Sequence, residues 1–271
     1  MSELPRRGVD VVGVDVAEMD VTDAGRVRAV MEEERPGVVV NCAAFTNVDG
    51  CESKRELCFD VNGRGAGNVA AAALGVGARV IHISTDYVFD GRSQVAYKEG
   101  DEPAPLCAYG KSKLDGEKQV AVSGADYAIV RTAWLFGAGG TNFVSKILAG
   151  AKEGEALEVV DDQRGSPTYA GHLATALAKL LAAEFRGVVH VAGSGEASWF
   201  DVAGEVLLLT GYRVPLKAIA TSDLELPARR PRYSALESSL YTTLTGEVMP
   251  PWQEGLAAYL REIEEGKPGA G

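Results

Sequence analysis

The feature that most constrains the fold is a series of short apolar runs that alternate with helical segments along the first half of the chain. The runs are mostly apolar and β-branched, and they cover residues 9–14, 38–40, 79–83 and 127–131. Continuous apolar strands indicate a sheet that is buried on both faces, and intervening helices are typical of parallel connections. The pattern therefore predicts an α/β fold, with helices on both faces of a doubly wound parallel sheet of the Rossmann type.

The helical segments between these runs have their own signals. Thr22 is placed to cap a helix whose apolar face includes Val27, Val30 and Met31. Further helices are predicted over residues 61–74, 108–121, 142–151 and 252–263, with a leucine stripe over 173–181 and a short strand over 188–191.

The pattern of strands and helices changes after about Gly137. We therefore divide the chain into a Rossmann-type domain over residues 1–140 and a smaller substrate-binding region over residues 141–271. Within the second region, residues from about 168 to 192 are expected to return to the main sheet.

Composition limits the partners of the chain. Its 271 residues are 46% hydrophobic and carry a net charge of −11. An acidic surface repels phosphate backbones and anionic lipid, and no uncharged run approaches the ~20 residues of a membrane span. We expect neither nucleic acid nor a membrane as a partner. The four cysteines form no C-x-x-C pair, which favours reduced thiols in a cytoplasmic protein.

The chemistry centres on Tyr109 and Lys113, which are one helical turn apart. Residues at i and i+4 share a helix face, and an ammonium beside a phenol stabilises the phenolate and lowers its pKa. Such a tyrosine can pass a proton to a carbonyl oxygen. By itself the Y-x-x-x-K spacing is weak, because two solvated residues on a surface helix also produce it.

The strand before this helix strengthens the interpretation. Residues 79–83 lead into Ser84, Thr85 and Asp86. Ligands of open α/β sheets bind at the carboxyl ends of the strands, so a hydroxyl there can meet a substrate. A simple strand-end cap remains the alternative for Ser84 and Thr85.

Six blocks in order along nearly the whole chain resemble the dTDP-4-dehydrorhamnose reductase family, which belongs to the extended short-chain dehydrogenases. The blocks are residues 41–49 (NCAAFTNVD), 61–62 (VN), 84–91 (STDYVFDG), 109–113 (YGKSK), 131–137 (RTAWLFG) and 162–168 (DQRGSPT). Related epimerases and dehydratases more often carry S-S-x-x-V-Y-G in the third block, so this sequence favours the reductases.

The resemblance implies catalytic roles for three residues. Tyr109 would protonate the sugar ketone, Lys113 would tune it and bind the nicotinamide ribose, and Thr85 would hold the carbonyl. Ala43 and Ala44 would line the cofactor, although tight packing between strand and helix explains small residues there equally well.

The resemblance also implies binding residues, each with a structural alternative. Asp86 and Trp134 would contact substrate, Trp134 otherwise being a core aromatic. Arg230, within the cluster of Arg229 to Arg232, would meet the nucleotide diphosphate unless it lies in a solvated loop.

Three residues near the start of the chain are assigned to the adenosine side of the cofactor. Asp20 and Val21 resemble an adenine-side contact, although Asp20 also suits the N-terminus of a helix. Asp15 is expected to end a strand, where an acid binds a ribose 2′-hydroxyl and favours NADH.

The glycine-rich turn of a dinucleotide fold is missing from the sequence. That turn links a strand to a helix, and the acid follows roughly 20 residues later. Asp15 is too close to Met1 to leave room for it, and the glycines near residues 65, 76 and 139 lie in the wrong context. We expect the natural protein to begin upstream of Met1, with its first strand and glycine-rich loop missing here. The alternative is a variant that no longer uses the cofactor normally.

The predicted activity is reduction of dTDP-4-dehydrorhamnose to dTDP-L-rhamnose by NADPH or NADH. Two alternatives stay open. One is a non-catalytic regulatory subunit resembling the β subunit of methionine adenosyltransferase, and the other is an epimerase or dehydratase on another nucleotide sugar. A homodimer is possible, and no residue cluster indicates a metal site, so a Mg²⁺ requirement is also open.

Overall fold

The computed structural model of the protein describes residues 9–265. Its strands are β1 (Val38–Asn41), β2 (Arg79–Thr85), β3 (Tyr127–Thr132), β4 (Leu135–Phe136), β5 (Leu157–Val160), β6 (Arg164–Gly165), β7 (Thr168–Tyr169), β8 (Gly187–His190), β9 (Ala197–Ser198) and β10 (Leu216–Ile219). Its α-helices are α1 (Ala24–Glu34), α2 (Val48–Ser53), α3 (Arg55–Phe59), α4 (Gly65–Val76), α5 (Ala108–Val122), α6 (Phe143–Glu153), α7 (Ala170–Leu180), α8 (Trp199–Thr210), α9 (Ser239–Thr245) and α10 (Trp252–Glu265).

The main sheet has the order β1-β2-β3-β8, and all its strand pairs are parallel. Its register places Asn41 opposite His82 and Thr85 opposite Thr132. The predicted strands over 38–40, 79–83, 127–131 and 188–191 are thereby confirmed. Because the strands are parallel, the residues that follow β1, β2 and β3 meet at one edge of the sheet.

Helices cover both faces of this sheet, which confirms the doubly wound α/β class. On one face, α4 and α5 bring Ala70, Ala73 and Val120 against Val80 and Ile129. A separate cluster, formed largely by α7 and α9, covers the other face. Small alanines on α4 let that helix lie close to the sheet, since they add little bulk between backbones.

The predicted strand over residues 9–14 is wrong. Residues 9–15 carry no regular secondary structure, and Val12 is 60% exposed. A β-strand needs a neighbour for its backbone hydrogen bonds, and among the described strands β1 pairs with β2 alone. Asp15 therefore does not end a strand.

The cap of α1 also differs from the prediction. Asp23 rather than Thr22 is the N-cap, and its side chain accepts a hydrogen bond from the Arg26 amide. The Thr22 hydroxyl instead donates to Asp20 Oδ1 at 2.8 Å. The predicted apolar face is confirmed, because Val27 and its two predicted companions on the helix are buried.

The helix predicted over residues 61–74 begins as a π-helical turn at Asp60–Arg64 and continues as α4. Its glycines allow close packing against α5. A Cβ on Gly63 would lie 2.2 Å from Asp115 Oδ2, and one on Gly116 would lie 2.2 Å from the Asn62 carbonyl oxygen. These glycines bring two helices together and do not follow a strand, as a phosphate-binding turn would.

The second half of the chain has its own core beside the sheet. Helices α6, α8 and α10 pack through residues that include Ile147, Val206 and Leu256. In the described part of the chain, no helix is both long enough and apolar enough to cross a bilayer.

Candidate active site

Helix α5 carries Tyr109 and Lys113 at its start, beside the carboxyl end of β2. Cys107 is its N-cap residue, and no side-chain hydrogen bond from Cys107 caps the helix. Instead Glu52, from α2, accepts the Ala108 amide at 2.7 Å. A carboxylate at this end also suits the positive end of the helix dipole. A residue distant in sequence therefore supplies the cap that Cys107 lacks.

Thr85 and Asp86 lie at the end of β2 and are both buried. Thr85 Oγ1 accepts the Tyr87 amide at 3.2 Å and donates to Asp86 Oδ1 at 3.0 Å. The Ser234 hydroxyl donates to the other carboxylate oxygen of Asp86 at 2.6 Å. Burial nevertheless raises the pKa of Asp86 to about 6, and the hydrogen bonds from Ser234 and Thr85 oppose that rise.

Tyr109 lies within hydrogen-bonding reach of Thr85, as the predicted pair requires. The expected lowering of its pKa is not found. Burial raises the pKa of the Tyr109 phenol, and the hydrogen bond with Thr85 only partly offsets that rise. The phenol is therefore a neutral proton donor in this state of the protein, and its phenolate would be a strong base.

Lys113 is 2% exposed, and its Nζ contacts residues of β2. Nζ donates to the Ile83 carbonyl oxygen at 2.7 Å and lies 3.5 Å from His82 Nε2. Burial lowers the pKa of Lys113 to about 8, while Glu117 and two thiols act in the opposite direction. The amine can therefore exchange a proton near neutral pH.

A buried ion pair supports the same end of β2. Arg131 donates to both carboxylate oxygens of Glu117, at 2.9 and 2.7 Å, and Ser84 Oγ donates to Glu117 at 2.5 Å. Sequence reasoning missed Glu117 and His82. The available signal was a charged or polar residue within an otherwise apolar strand or helix face.

The edge of the sheet beside Thr85 contains an unsatisfied polar atom. Thr132 Oγ1 is buried and has no hydrogen-bond partner among the described residues. Ala43 and Ala44 follow β1 at this edge and are half-buried. Buried hydroxyls are nearly always hydrogen-bonded, so Thr132 marks a position where a ligand can supply the partner.

The residues predicted for the adenosine side lie elsewhere and differ in burial. Asp15 and Asp20 are exposed, and their hydrogen bonds are with near neighbours in sequence. Val21 is buried against α1 and α4, and the Asn68 side chain donates to its carbonyl oxygen at 2.9 Å. Thus only Val21 is held by contacts with distant parts of the chain.

Trp134 and Arg230 have specific partners. Trp134 has a positive φ of 48° and stacks on Trp199, with ring centroids 3.5 Å apart. A positive φ is uncommon for a residue with a Cβ, and it persists where surrounding contacts enforce it. Arg230 donates to both carboxylate oxygens of Asp49, and this contact holds the pKa of Asp49 below its usual value.

Comparison with known proteins identifies the family of the chain. The family described as RmlD substrate binding domain matches residues 1–265. A dTDP-4-dehydrorhamnose reductase from Streptomyces griseus is 41% identical over 93% of this chain and 86% of its own length.

The chain belongs to the dTDP-4-dehydrorhamnose reductase family.

Solved structures of family members have the same fold. The reductase from Bacillus anthracis, crystallised with NADP, has a TM-score of 0.93 and 39% identity, covering 96% of this chain and 92% of its own. A reductase from Clostridium acetobutylicum has a TM-score of 0.93 and 40% identity, covering 97% and 93%. Within residues 9–265, no group of three or more histidine, cysteine or acidic side chains is arranged to hold a metal ion.

Proposed function

We propose that this protein reduces dTDP-4-dehydrorhamnose to dTDP-L-rhamnose with NADPH or NADH. The observations that support the proposal are the contact of Tyr109 with Thr85 and the bond of Lys113 to the Ile83 carbonyl, both beside the carboxyl end of β2 in a member of this reductase family. A half-buried phenol with a hydroxyl beside it is suited to meet a carbonyl oxygen and protonate it.

The chemical roles follow from the contacts of the three residues. Tyr109 donates its proton to the ketone oxygen, and Thr85 orients that oxygen through its hydroxyl. Lys113 supplies a positive charge one helical turn away from the phenolate that forms. When bound, the nicotinamide cofactor supplies the hydride that reduces the ketone carbon.

The described residues fit the nicotinamide end of such a cofactor. Lys113 has donors beyond its bond to Ile83, Thr132 has an unsatisfied hydroxyl, and Ala43 and Ala44 present small, half-buried side chains beside the end of β1. We assign Tyr109 to this end as well. For the adenosine side we retain Asp15, Asp20 and Val21. No glycine-rich turn for the pyrophosphate is found between residues 9 and 265, so no residue is assigned to it.

The substrate is assigned to Thr85, Asp86, Trp134 and Arg230. The indole of Trp134 is half-buried and can pack against a sugar or base, and Arg230 can contact a diphosphate. Since Asp49 already binds both sides of the Arg230 fork, a diphosphate would have to share or replace that contact.

The proposal includes three features beyond the reaction. The protein acts in the cytoplasm, which its four unpaired cysteines support. It forms a homodimer, and it divides into a cofactor domain over 1–140 and a substrate region over 141–271. The pairing of β8 with β3 supports the return of part of the second region to the main sheet.

The test is turnover of dTDP-4-dehydrorhamnose with reduced cofactor, followed by the loss of nicotinamide absorbance and by identification of the sugar product. Tyr109→Phe is expected to lower kcat by about 10²–10⁴-fold, because it removes the proton donor. Tyr212→Phe is the matched control, since it removes a phenol hydroxyl from an exposed side chain and should leave kcat unchanged.

Two results would contradict the proposal. If the wild-type protein turns over no substrate but binds NADP, a non-catalytic subunit is favoured instead. If Tyr109→Phe and Tyr212→Phe both match the wild type, the proton comes from another group.

A further inference from the structure

A line of buried polar groups extends from β1 through β2 to Lys113. Asn41 and His82 are register partners on adjacent strands, and Asn41 Nδ2 lies 3.2 Å from His82 Nδ1. The other ring nitrogen, Nε2, lies 3.5 Å from Lys113 Nζ. His82 is fully buried, and Asn41 is 6% exposed. None of these contacts is with solvent, so each proton along the line has a restricted choice of partner.

The direction of the hydrogen bonds follows from the backbone. The Ala43 amide donates to Asn41 Oδ1 at 3.1 Å, so the amide nitrogen of Asn41 is the atom that faces His82. A side-chain amide nitrogen can only donate, and therefore His82 Nδ1 must be the acceptor. A neutral imidazole carries one N–H, so the proton of His82 is on Nε2, the atom that faces Lys113.

The protonation state of His82 agrees with this direction. Burial lowers the pKa of His82 well below its usual value, and the charge of Lys113 lowers it further. The imidazole is therefore neutral near pH 7. An N–H that faces Nζ is repelled by an ammonium and can bond to the lone pair of a neutral amine.

The other titratable groups near Lys113 come from several elements. Glu117 faces it from α5, Cys42 from the end of β1 and Cys58 from α3, and all three favour the ammonium. The Glu117 carboxylate is already bound by Arg131 through both oxygens. Burial acts against the charge, and His82 turns a ring nitrogen toward Nζ from β2.

We propose that His82, held by Asn41 in its Nε2–H form, is a positioning residue that favours the neutral form of Lys113. The inference rests on the proposed reductase function. After Tyr109 has protonated the substrate, the Lys113 ammonium gives its proton to the phenolate, leaving a neutral amine and a phenol. The amine then takes a proton from solvent. A hydrogen bond from His82 Nε2–H to the amine makes the ammonium a better proton donor.

The sharpest variant is Asn41→Asp, which keeps the shape of the side chain and the acceptor for Ala43. A carboxylate facing His82 accepts from Nδ1–H, so the ring proton moves and the Nε2 lone pair faces Lys113. The ammonium is then favoured. Activity in the reduction direction needs this ammonium. The pH at which kcat falls on the alkaline side should therefore rise by about one unit. At a fixed pH on that limb, kcat of the variant should be about tenfold higher than that of the wild type.

Asn47→Asp is the matched control, because it makes the same change at an exposed helix N-cap, where aspartate caps as well as asparagine. It should leave the limb unchanged. The ring tautomer is measured separately by ¹⁵N NMR of the three histidines, with His82→Gln used to assign the His82 signals.

The outcomes separate the two proposals. A wild-type His82 that carries its proton on Nδ1, or on both nitrogens at neutral pH, overturns the inference whatever the activity. A tautomer change in Asn41→Asp with an unshifted limb overturns it as well. If the wild type shows no turnover, the proposed function fails, while the NMR measurement still tests the His82 assignment.

Discussion

Two regions assigned to the same ligand are held in very different ways. At the carboxyl edge of β2, Thr85 and Lys113 are buried and are bound by neighbours from other elements. In the segment before α1, Asp15 and Asp20 are exposed and bond to residues one to four positions away. The comparison shows that tertiary contacts set the geometry at the carboxyl end of β2, the proposed reacting end. Local chain conformation sets the positions of the two acids proposed for the adenosine side.

The largest expected effect is at the buried ion pair. Arg131→Leu should lower the free energy of unfolding by about 3–5 kcal/mol, because it leaves the Glu117 carboxylate buried without its cation. Arg92→Leu removes an exposed arginine near Asp90 and should change stability by less than about 1 kcal/mol. Urea denaturation measures both variants. Equal effects would show that the reacting end is not held more firmly than the surface.

The next effect is a pH dependence at Asp86. The pKa of Asp86 is raised in the folded protein, from 3.8 to about 6. The contribution of this group to the free energy of unfolding is therefore fully present below pH 3.8, and it is lost as the pH rises through 6. Over this pH range, the free energy of unfolding of the wild type should fall by up to about 3 kcal/mol relative to that of the Asp86→Asn variant.

Urea denaturation of the wild type and of the Asp86→Asn variant at several pH values tests this expectation. His190 titrates in the same range, because burial lowers its pKa to about 4. It is present in both proteins, so the difference between them isolates Asp86. A difference that is independent of pH would contradict the raised pKa.

A smaller effect is expected where two helices meet near the reacting end. Gly116→Ala places a methyl group against the Asn62 carbonyl and should cost about 1–3 kcal/mol of stability. Gly75→Ala is the control. Its added methyl group meets open space on α4, and it should stabilise by up to about 1 kcal/mol through helix propensity. If Gly116→Ala leaves the free energy of unfolding unchanged, the backbone can shift easily to relieve the contact.

The smallest effects are expected in the segment before α1. Asp15→Ala and Asp20→Ala should each leave the unfolding temperature close to that of the wild type, since both side chains are exposed and bonded locally. Thermal unfolding measured beside the Arg131 variant makes the comparison direct. A drop in unfolding temperature as large as that of the Arg131 variant, from either change, would show that this segment is held by contacts as strong as those at β2.

Much of the sheet was predictable because it depends on local pattern. The strands over 38–40, 79–83 and 127–131 were identified by continuous apolar residues, and the spacing of Tyr109 and Lys113 placed both on one helix. The strand over 9–14 was wrong because an apolar run forms a strand only beside a partner. No local pattern states whether a partner is there.

The helix that carries Tyr109 and Lys113 was predictable, but the electrostatics around the two side chains were not. The identities of Tyr109 and Lys113 led us to expect a lowered phenol pKa, yet burial raises it. Glu52 was missed as the cap of α5, and His82 was missed as a neighbour of Lys113. Both act on residues more than 30 positions away in the chain, so no spacing rule connects them.

The sequence by itself determined the class of fold, the order of its main strands and the pair of residues one helical turn apart at the reacting end. Periodicity and motif are enough for these, because they depend on neighbours along the chain. Only the tertiary structure decided which groups lose contact with water and which face one another across strands. Desolvation and distance set pKa values and hydrogen-bond direction, and both are properties of the packed molecule.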